Sequence, residues 1–159
     1  MDFALSKKGL KQAKELIREL NKYKFDVFIV SPLKRTIQTI QPYLNILSNP
    51  EVVVNGLTLE REGGEFTGGP QDGIRKYCEK NNLNKVSFRP KKGESILDVY
   101  KRAKKFIKFL KDNFNDESIL ICGHKNFLIC LEVALENKSI KDYYSFKPLE
   151  NKEIRQFSL

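Results

Sequence analysis

The sequence predicts an α/β fold with three layers, in which helices cover both faces of a largely parallel sheet. Two short, nearly continuous apolar runs, at residues 25–30 and 118–123, are typical of strands that are buried on both faces. Segments with apolar residues every three to four positions alternate with these runs and predict amphipathic helices. With 159 residues and 40% hydrophobic content, the chain is expected to form one domain over residues 1–159.

The N-terminal third predicts a helix, a strand, a second helix and a brief strand. The first helix is expected from Ser6 to about Lys22, and its apolar stripe consists of Leu10, Ala13, Ile17 and Leu20. After the strand at residues 25–30, Ser31 has the chemistry of an N-cap and Pro32 suits the first helical position. We therefore expect the second helix to begin there and to run to about Leu47, followed by a strand at residues 52–54.

The remainder begins with a polar, glycine-rich stretch from Glu60 to Gly73. The longest predicted helix covers residues 94–114, and Ser95 with Asp98 resembles a capping box at its start. The other predicted elements are a short helix at 74–81, a strand at 118–123, a helix at 125–135 and a final edge strand from Glu153 to Phe157.

The composition narrows the function classes. The net charge is 29 − 20 = +9, but the lysines occur singly or in pairs between apolar residues, which is typical of solvated helix faces. A nucleic acid is therefore not the favoured partner. No apolar run approaches the roughly 20 residues that span a bilayer, so no membrane is expected. Three cysteines without a CxxC pair and the lack of a signal-like start predict a cytoplasmic protein, and one histidine without a ligand cluster predicts no metal site.

Two segments lie where a predicted strand turns into a helix, namely residues 31–35 and 123–124. In open parallel sheets, ligands bind beyond the carboxyl ends of the strands. Backbone N–H groups and the positive end of a helix can face an anion there, and Arg35 adds a guanidinium that can hold an oxyanion with two hydrogen bonds. The sequence therefore predicts a site for a phosphate or a carboxylate.

Five short motifs also occur in an order that resembles the histidine phosphatase superfamily, the phosphoglycerate mutase-like proteins. They are Leu5-Ser6 with Gly9, Gln12 and Ala13; Ser31-Pro32-Leu33 with Arg35, Gln38 and Thr39; Glu60 with Gly64 and Gly68; Gly93-Glu94-Ser95 followed by Arg102; and the strand Ile119 to His124. The resemblance covers nearly the whole chain.

The resemblance implies phosphoryl transfer from a small phosphorylated substrate, without a metal or cofactor. In the family, a histidine in an Arg-His-Gly motif attacks the phosphoryl group and forms a phosphohistidine, which water hydrolyses. By motif, Arg35 would bind the phosphate, His124 would be the second, phosphate-binding histidine, and Glu60 would be the acid/base. Glu62 and Glu65 remain alternatives to Glu60. Ser31 is expected to be a helix cap, with phosphate contact as a secondary role.

The sequence departs from the family at one point, because it contains no Arg-His-Gly motif and His124 is its only histidine. We therefore expect a domain that is incomplete at its N-terminus, without the family's internal first strand, and inactive as it stands. Restoring that segment would be expected to give a phosphomonoesterase. The alternative is a non-catalytic anion-binding or scaffold protein of the same fold.

Three further points are expectations. The short interval at residues 69–92 favours a small phosphatase of the broad-specificity or alpha-ribazole phosphate type over a mutase, and a homodimer is left open. Arg102 is expected to form a structural ion pair. Cys122 shares a strand face with His124, which allows a Cys-His dyad, but core packing is the favoured interpretation.

Overall fold

The computed structural model describes residues 2–159 and places a parallel three-stranded sheet at the centre of the chain. The strands are β1 (Val27–Val30), β2 (Glu51–Val54) and β3 (Ile119–Cys122), in the order β2-β1-β3. Val27 is paired with Glu51 on one side and with Ile119 on the other. All four residues of β1 are buried, as its apolar sequence predicts for a strand covered on both faces.

Five α-helices surround the sheet. They are α1 (Lys7–Leu20), α2 (Lys34–Leu44), α3 (Gly73–Lys80), α4 (Ile96–Asn113) and α5 (Lys125–Leu135), with 3-10 turns at Gly56–Thr58, Gly64–Phe66 and Ile140–Ser145. Side chains of β1 alternate between two apolar clusters. Phe28 and Val30 pack with α1 and α2, whereas Val27 and Ile29 pack with α4 and α5. This arrangement confirms the predicted α/β class with helices on both faces of a parallel sheet.

Two predicted helix starts follow from side-chain capping. Ser95 accepts a hydrogen bond from the backbone N–H of Asp98, and Asp98 accepts one from the backbone N–H of Ser95, so the capping box is present. Ser6 accepts from the backbone N–H of Gly9 and begins α1 in the same way. Local sequence therefore determines where α1 and α4 begin.

The predicted start of the second helix at Ser31 and Pro32 is wrong, because α2 begins at Lys34 with Leu33 as its N-cap. Ser31 instead extends the sheet, since its N–H donates to the carbonyl of Cys122 at 3.0 Å. The helix also ends at Leu44, three residues before the predicted end.

The predicted edge strand from Glu153 to Phe157 is also wrong, because no strand forms there. A groove separates this segment from β3, so its backbone has no neighbouring strand with which to pair. The segment is held instead by Arg155, whose side chain binds Glu132 and the carbonyl of Lys147. Among residues 2–159, no helix has the length and apolar character needed to cross a membrane.

Candidate active site

Ser31 and His124 lie side by side at one edge of the sheet. Ser31 directly follows β1, and His124 follows β3 after Gly123. Because β1 and β3 are adjacent and parallel, their carboxyl ends meet at the same edge. Ser31 Oγ and His124 Nε2 are 2.8 Å apart, and both residues are buried. The topology thus joins two residues that are 93 positions apart in sequence.

The imidazole of His124 is bonded through both of its nitrogens. Arg35, in the first turn of α2, donates from Nε to Nδ1 of His124 at 3.2 Å. Because a guanidinium can only donate, Nδ1 carries no proton, and the proton of the neutral ring is on Nε2. Nε2 therefore donates to Ser31 Oγ. This contact corrects the prediction that Ser31 is a helix cap.

The surroundings keep His124 neutral. Burial lowers its pKa from 6.5 to about 4, and the positive charges of Arg35 and Arg102 lower the pKa in the same direction. At neutral pH the positive charge of this pair is therefore on Arg35.

Glu60 connects the polar loop to the helix that follows His124. Its Oε1 accepts from the backbone N–H of Arg61 at 2.8 Å and from that of Asn126 at 3.2 Å. Asn126 is the second residue of α5, so the carboxylate lies at the positive end of that helix. The side chain of Asn126 is fixed in turn, because Tyr143 Oη donates to its Oδ1 at 2.5 Å.

The two alternative carboxylates make other contacts. Glu62 accepts from the N–H of Gly64 and the hydroxyl of Thr67, within its own loop. Glu65 accepts from the N–H of Lys91, and both glutamates are exposed. Of the three candidates, Glu60 is the one that contacts the start of α5.

Arg102 forms an ion pair with Glu94 at 2.9 Å, as the sequence predicts, and it does more. Its Nη1 donates to the carbonyls of Leu57 and Leu59 at 2.6 and 2.7 Å, so it fixes the chain immediately before Glu60. Sequence patterns gave no signal for this clamp, or for Asn126 and Tyr143, because each depends on a partner that is distant in sequence.

Cys122 packs in the core and does not form a dyad with His124. Its Sγ contacts the carbonyl oxygen of Thr36 at 3.6 Å, and burial raises the pKa of the thiol to about 12. The thiol therefore stays protonated at neutral pH. Within residues 2–159, no group of three or more His, Cys, Asp or Glu side chains could hold a metal ion.

A buried histidine, a guanidinium on its ring and a carboxylate on the next helix are thus grouped at the ligand-binding edge of a parallel sheet. The whole chain, residues 1–159, also matches the family model of the histidine phosphatase superfamily (branch 1). The chain belongs to the histidine phosphatase superfamily. It is 30% identical over 155 residues to phosphoserine phosphatase 1 of Hydrogenobacter thermophilus, covering 92% of this chain and 71% of that protein.

Solved structures share the fold at lower identity. A mycobacterial glucosyl-3-phosphoglycerate phosphatase is 20% identical with a TM-score of 0.80, covering 96% of this chain and 78% of that one. YhfR of Bacillus stearothermophilus is 21% identical with a TM-score of 0.79, covering 95% and 76%. The mycobacterial phosphatase also has a solved complex with inorganic phosphate. These structures confirm the phosphoglycerate mutase-like fold.

Proposed function

We propose that the edge of the sheet at Arg35 and His124 binds the phosphate group of a small phosphate ester, in a phosphatase that works through a phosphohistidine. The observation that carries the proposal is the burial of the chain's single histidine between Ser31 and the guanidinium of Arg35. Family membership and the phosphatases among its relatives support it.

Arg35 is suited to hold the anion. Its Nε is used by His124, whereas its two terminal nitrogens have no hydrogen-bond acceptor within the described chain. These nitrogens present a planar pair of donors, the geometry that binds two phosphate oxygens together. His124 Nε2–H and the Ser31 hydroxyl supply further donors beside it. Such fixed donors stabilise the negative charge that builds up on a transferring phosphoryl group.

Glu60 is the proposed acid/base of the reaction. It would protonate the departing oxygen of the ester and then take a proton from the water that attacks the phosphohistidine. The contacts with Arg61 and Asn126 orient its carboxylate towards the start of α5, close in sequence to His124.

Residues 1–159 hold no second histidine, and the ring of His124 is bonded on both sides. We therefore propose that this chain alone binds phosphate but does not form a phosphohistidine. The nucleophile would come with a segment that carries an Arg-His-Gly motif. The short interval at residues 69–92 and the phosphoserine phosphatase relative favour small monoesters as substrates.

The binding step is tested with inorganic phosphate and two charge-matched variants. Arg35→Gln should weaken phosphate binding by at least about tenfold, because a bidentate, charge-assisted contact is lost. Lys34→Gln removes the same charge from the neighbouring exposed residue and should change the affinity little. Isothermal titration calorimetry measures both. Equal affinities for the two variants would contradict the assignment of Arg35.

The catalytic step is tested with p-nitrophenyl phosphate and a panel of small phosphate monoesters. The 159-residue chain should show background turnover, and the chain extended by the Arg-His-Gly segment encoded upstream of Met1 should hydrolyse members of the panel. An extended protein that folds and hydrolyses none of them would refute the phosphatase proposal. Turnover by the unextended chain that is lost in His124→Ala would show that His124 itself is the nucleophile.

A second candidate is a non-catalytic anion-binding or scaffold protein. The occupied ring of His124 favours it, as does the net charge of +9. It predicts binding of phosphate or a polyanion that weakens as salt rises, with no turnover even in the extended protein. Salt-independent binding would count against this second candidate.

A further inference from the structure

A groove of about 630 Å³ runs along the outer edge of β3, between that strand and residues 153–159. Its walls are apolar on both faces of the sheet. Leu128 and Leu135 of α5 belong to the cluster on the α4 and α5 side. Phe25 and Ile154 pack with the cluster on the opposite side. A chain lying in this groove would therefore be buried above and below.

The edge of β3 that faces the groove is open. Ser118 and Cys122 direct their carbonyls to β1, where they accept from Val27 and Ser31. Because backbone groups alternate in direction along a strand, those of Ile119 and Ile121 point away from β1. Neither residue has a backbone hydrogen bond to the opposite wall within residues 2–159.

The opposite wall of the groove is open as well. From residue 154 to 159 the chain makes no backbone hydrogen bond within the described residues, although Arg155 anchors it to Glu132. Buried backbone groups are nearly always paired in proteins, and open strand edges are sites where another strand is added. Two such rows face one groove here.

We propose that the groove binds one extended segment from outside residues 1–159, which pairs with β3 and with residues 154–159. The groove is apolar on both faces, so the segment is a continuous apolar run of about four to five residues, as in β1. The relatives' length supports such an occupant, since this chain covers 71% of the phosphoserine phosphatase and 78% of the mycobacterial phosphatase.

The direction of the segment links it to the active site, and this step rests on the proposed function. β1, β2 and β3 are all parallel, and their carboxyl ends lie at the edge that holds Ser31 and His124. A segment that runs parallel to β3 brings the residues after its apolar run to the same edge. There they can supply the nucleophile that residues 1–159 do not contain.

The test uses the 159-residue chain and three synthetic peptides. The first has Lys-Lys for solubility, the run Val-Ile-Val-Val and then Arg-His-Gly. The second ends in Arg-Ala-Gly, and the third has two consecutive residues of the run replaced by proline. Backbone amide exchange of Ile119 and Ile121 is followed by NMR, because these amides face the groove.

The first two peptides should slow exchange at Ile119 and Ile121 by at least about tenfold, and the proline peptide should bind at least about tenfold more weakly. The inference is overturned when neither peptide protects these amides or when the proline peptide protects them equally. It is also overturned when protection appears without peptide as protein concentration rises, since a second copy would then fill the groove.

Activity separates this inference from the proposed function. The His-containing peptide should give hydrolysis of p-nitrophenyl phosphate, and the Ala-containing peptide should not. Protection of the amides by both peptides without any hydrolysis would support the groove and refute the proposed phosphatase. Loss of protection together with intact phosphate binding at Arg35 would refute the groove and support the proposed binding site.

Discussion

Lowering the pH from 7.5 to 5 should destabilise the protein through one residue, His124. The folded state holds its imidazole neutral, with a pKa lowered from 6.5 to about 4 by burial and by two arginines. The unfolded chain takes up a proton at this ring below about pH 6.5, whereas the folded protein takes it up only near pH 4. The unfolded state therefore binds more protons in this window, and stability falls as the pH falls.

The size of the effect follows from the two pKa values. At pH 5 the unfolded histidine is almost fully protonated and the folded one is not, which lowers the free energy of unfolding by about 2 kcal/mol. The loss reaches a limit of about 3 kcal/mol below pH 4, from 2.5 pKa units at about 1.36 kcal/mol each. Above pH 7 the contribution of His124 to the pH dependence is close to zero.

The assay is urea denaturation between pH 5 and 7.5, compared with the variant His124→Gln. Because the chain has one histidine, the difference between the two curves isolates His124 from the carboxylates, which titrate at lower pH. The ring protons of that histidine also form a single NMR titration curve. Parallel stability curves, or an NMR midpoint at or above 6.5, would refute the reasoning.

Three other results are expected. Saturating phosphate should raise the pKa of His124 towards its ordinary value, because the anion neutralises Arg35 and favours the imidazolium; NMR titration with and without phosphate measures this, and an unchanged or lowered pKa would place the anion elsewhere. Gly64→Ala should destabilise by about 3 kcal/mol in urea, because φ is +56° and the added carbon would collide with the carbonyl of Lys91, whereas Gly56→Ala meets no atom and should be nearly neutral. Arg102→Met should cost about 3 kcal/mol because it leaves Glu94 and the carbonyls of Leu57 and Leu59 without their donor, while Lys108→Met on an exposed pair should cost under about 1 kcal/mol. Similar losses for Arg102→Met and Lys108→Met would show that the clamp contributes little.

Much of the fold could be predicted because the deciding interactions are local. The apolar run of β1 requires burial on both faces wherever it lies. Ser95 and Asp98 cap α4 through groups three residues apart, so the sequence contains both partners. The position of His124 between β3 and α5 also follows from local pattern, and it placed one site residue at the ligand-binding edge before any contact was known.

The errors concern residues with more than one compatible local structure. A serine before a helix suits an N-cap, but Ser31 is used by Cys122 and His124, both far away in sequence. Residues 153–157 have a strand-like pattern, but a strand needs a paired neighbour and a groove lies where that neighbour would be.

The sequence by itself determined which segments are buried and which end at the edge of the sheet, because periodicity and capping depend on neighbouring residues. The tertiary structure decided which side chains meet. It brought Arg35 and Ser31 to the two nitrogens of His124 and placed Glu60 against Asn126. It also left β3 with an open edge. Hydrogen bonds between residues far apart in the chain have no local pattern, so only the packed fold reveals them.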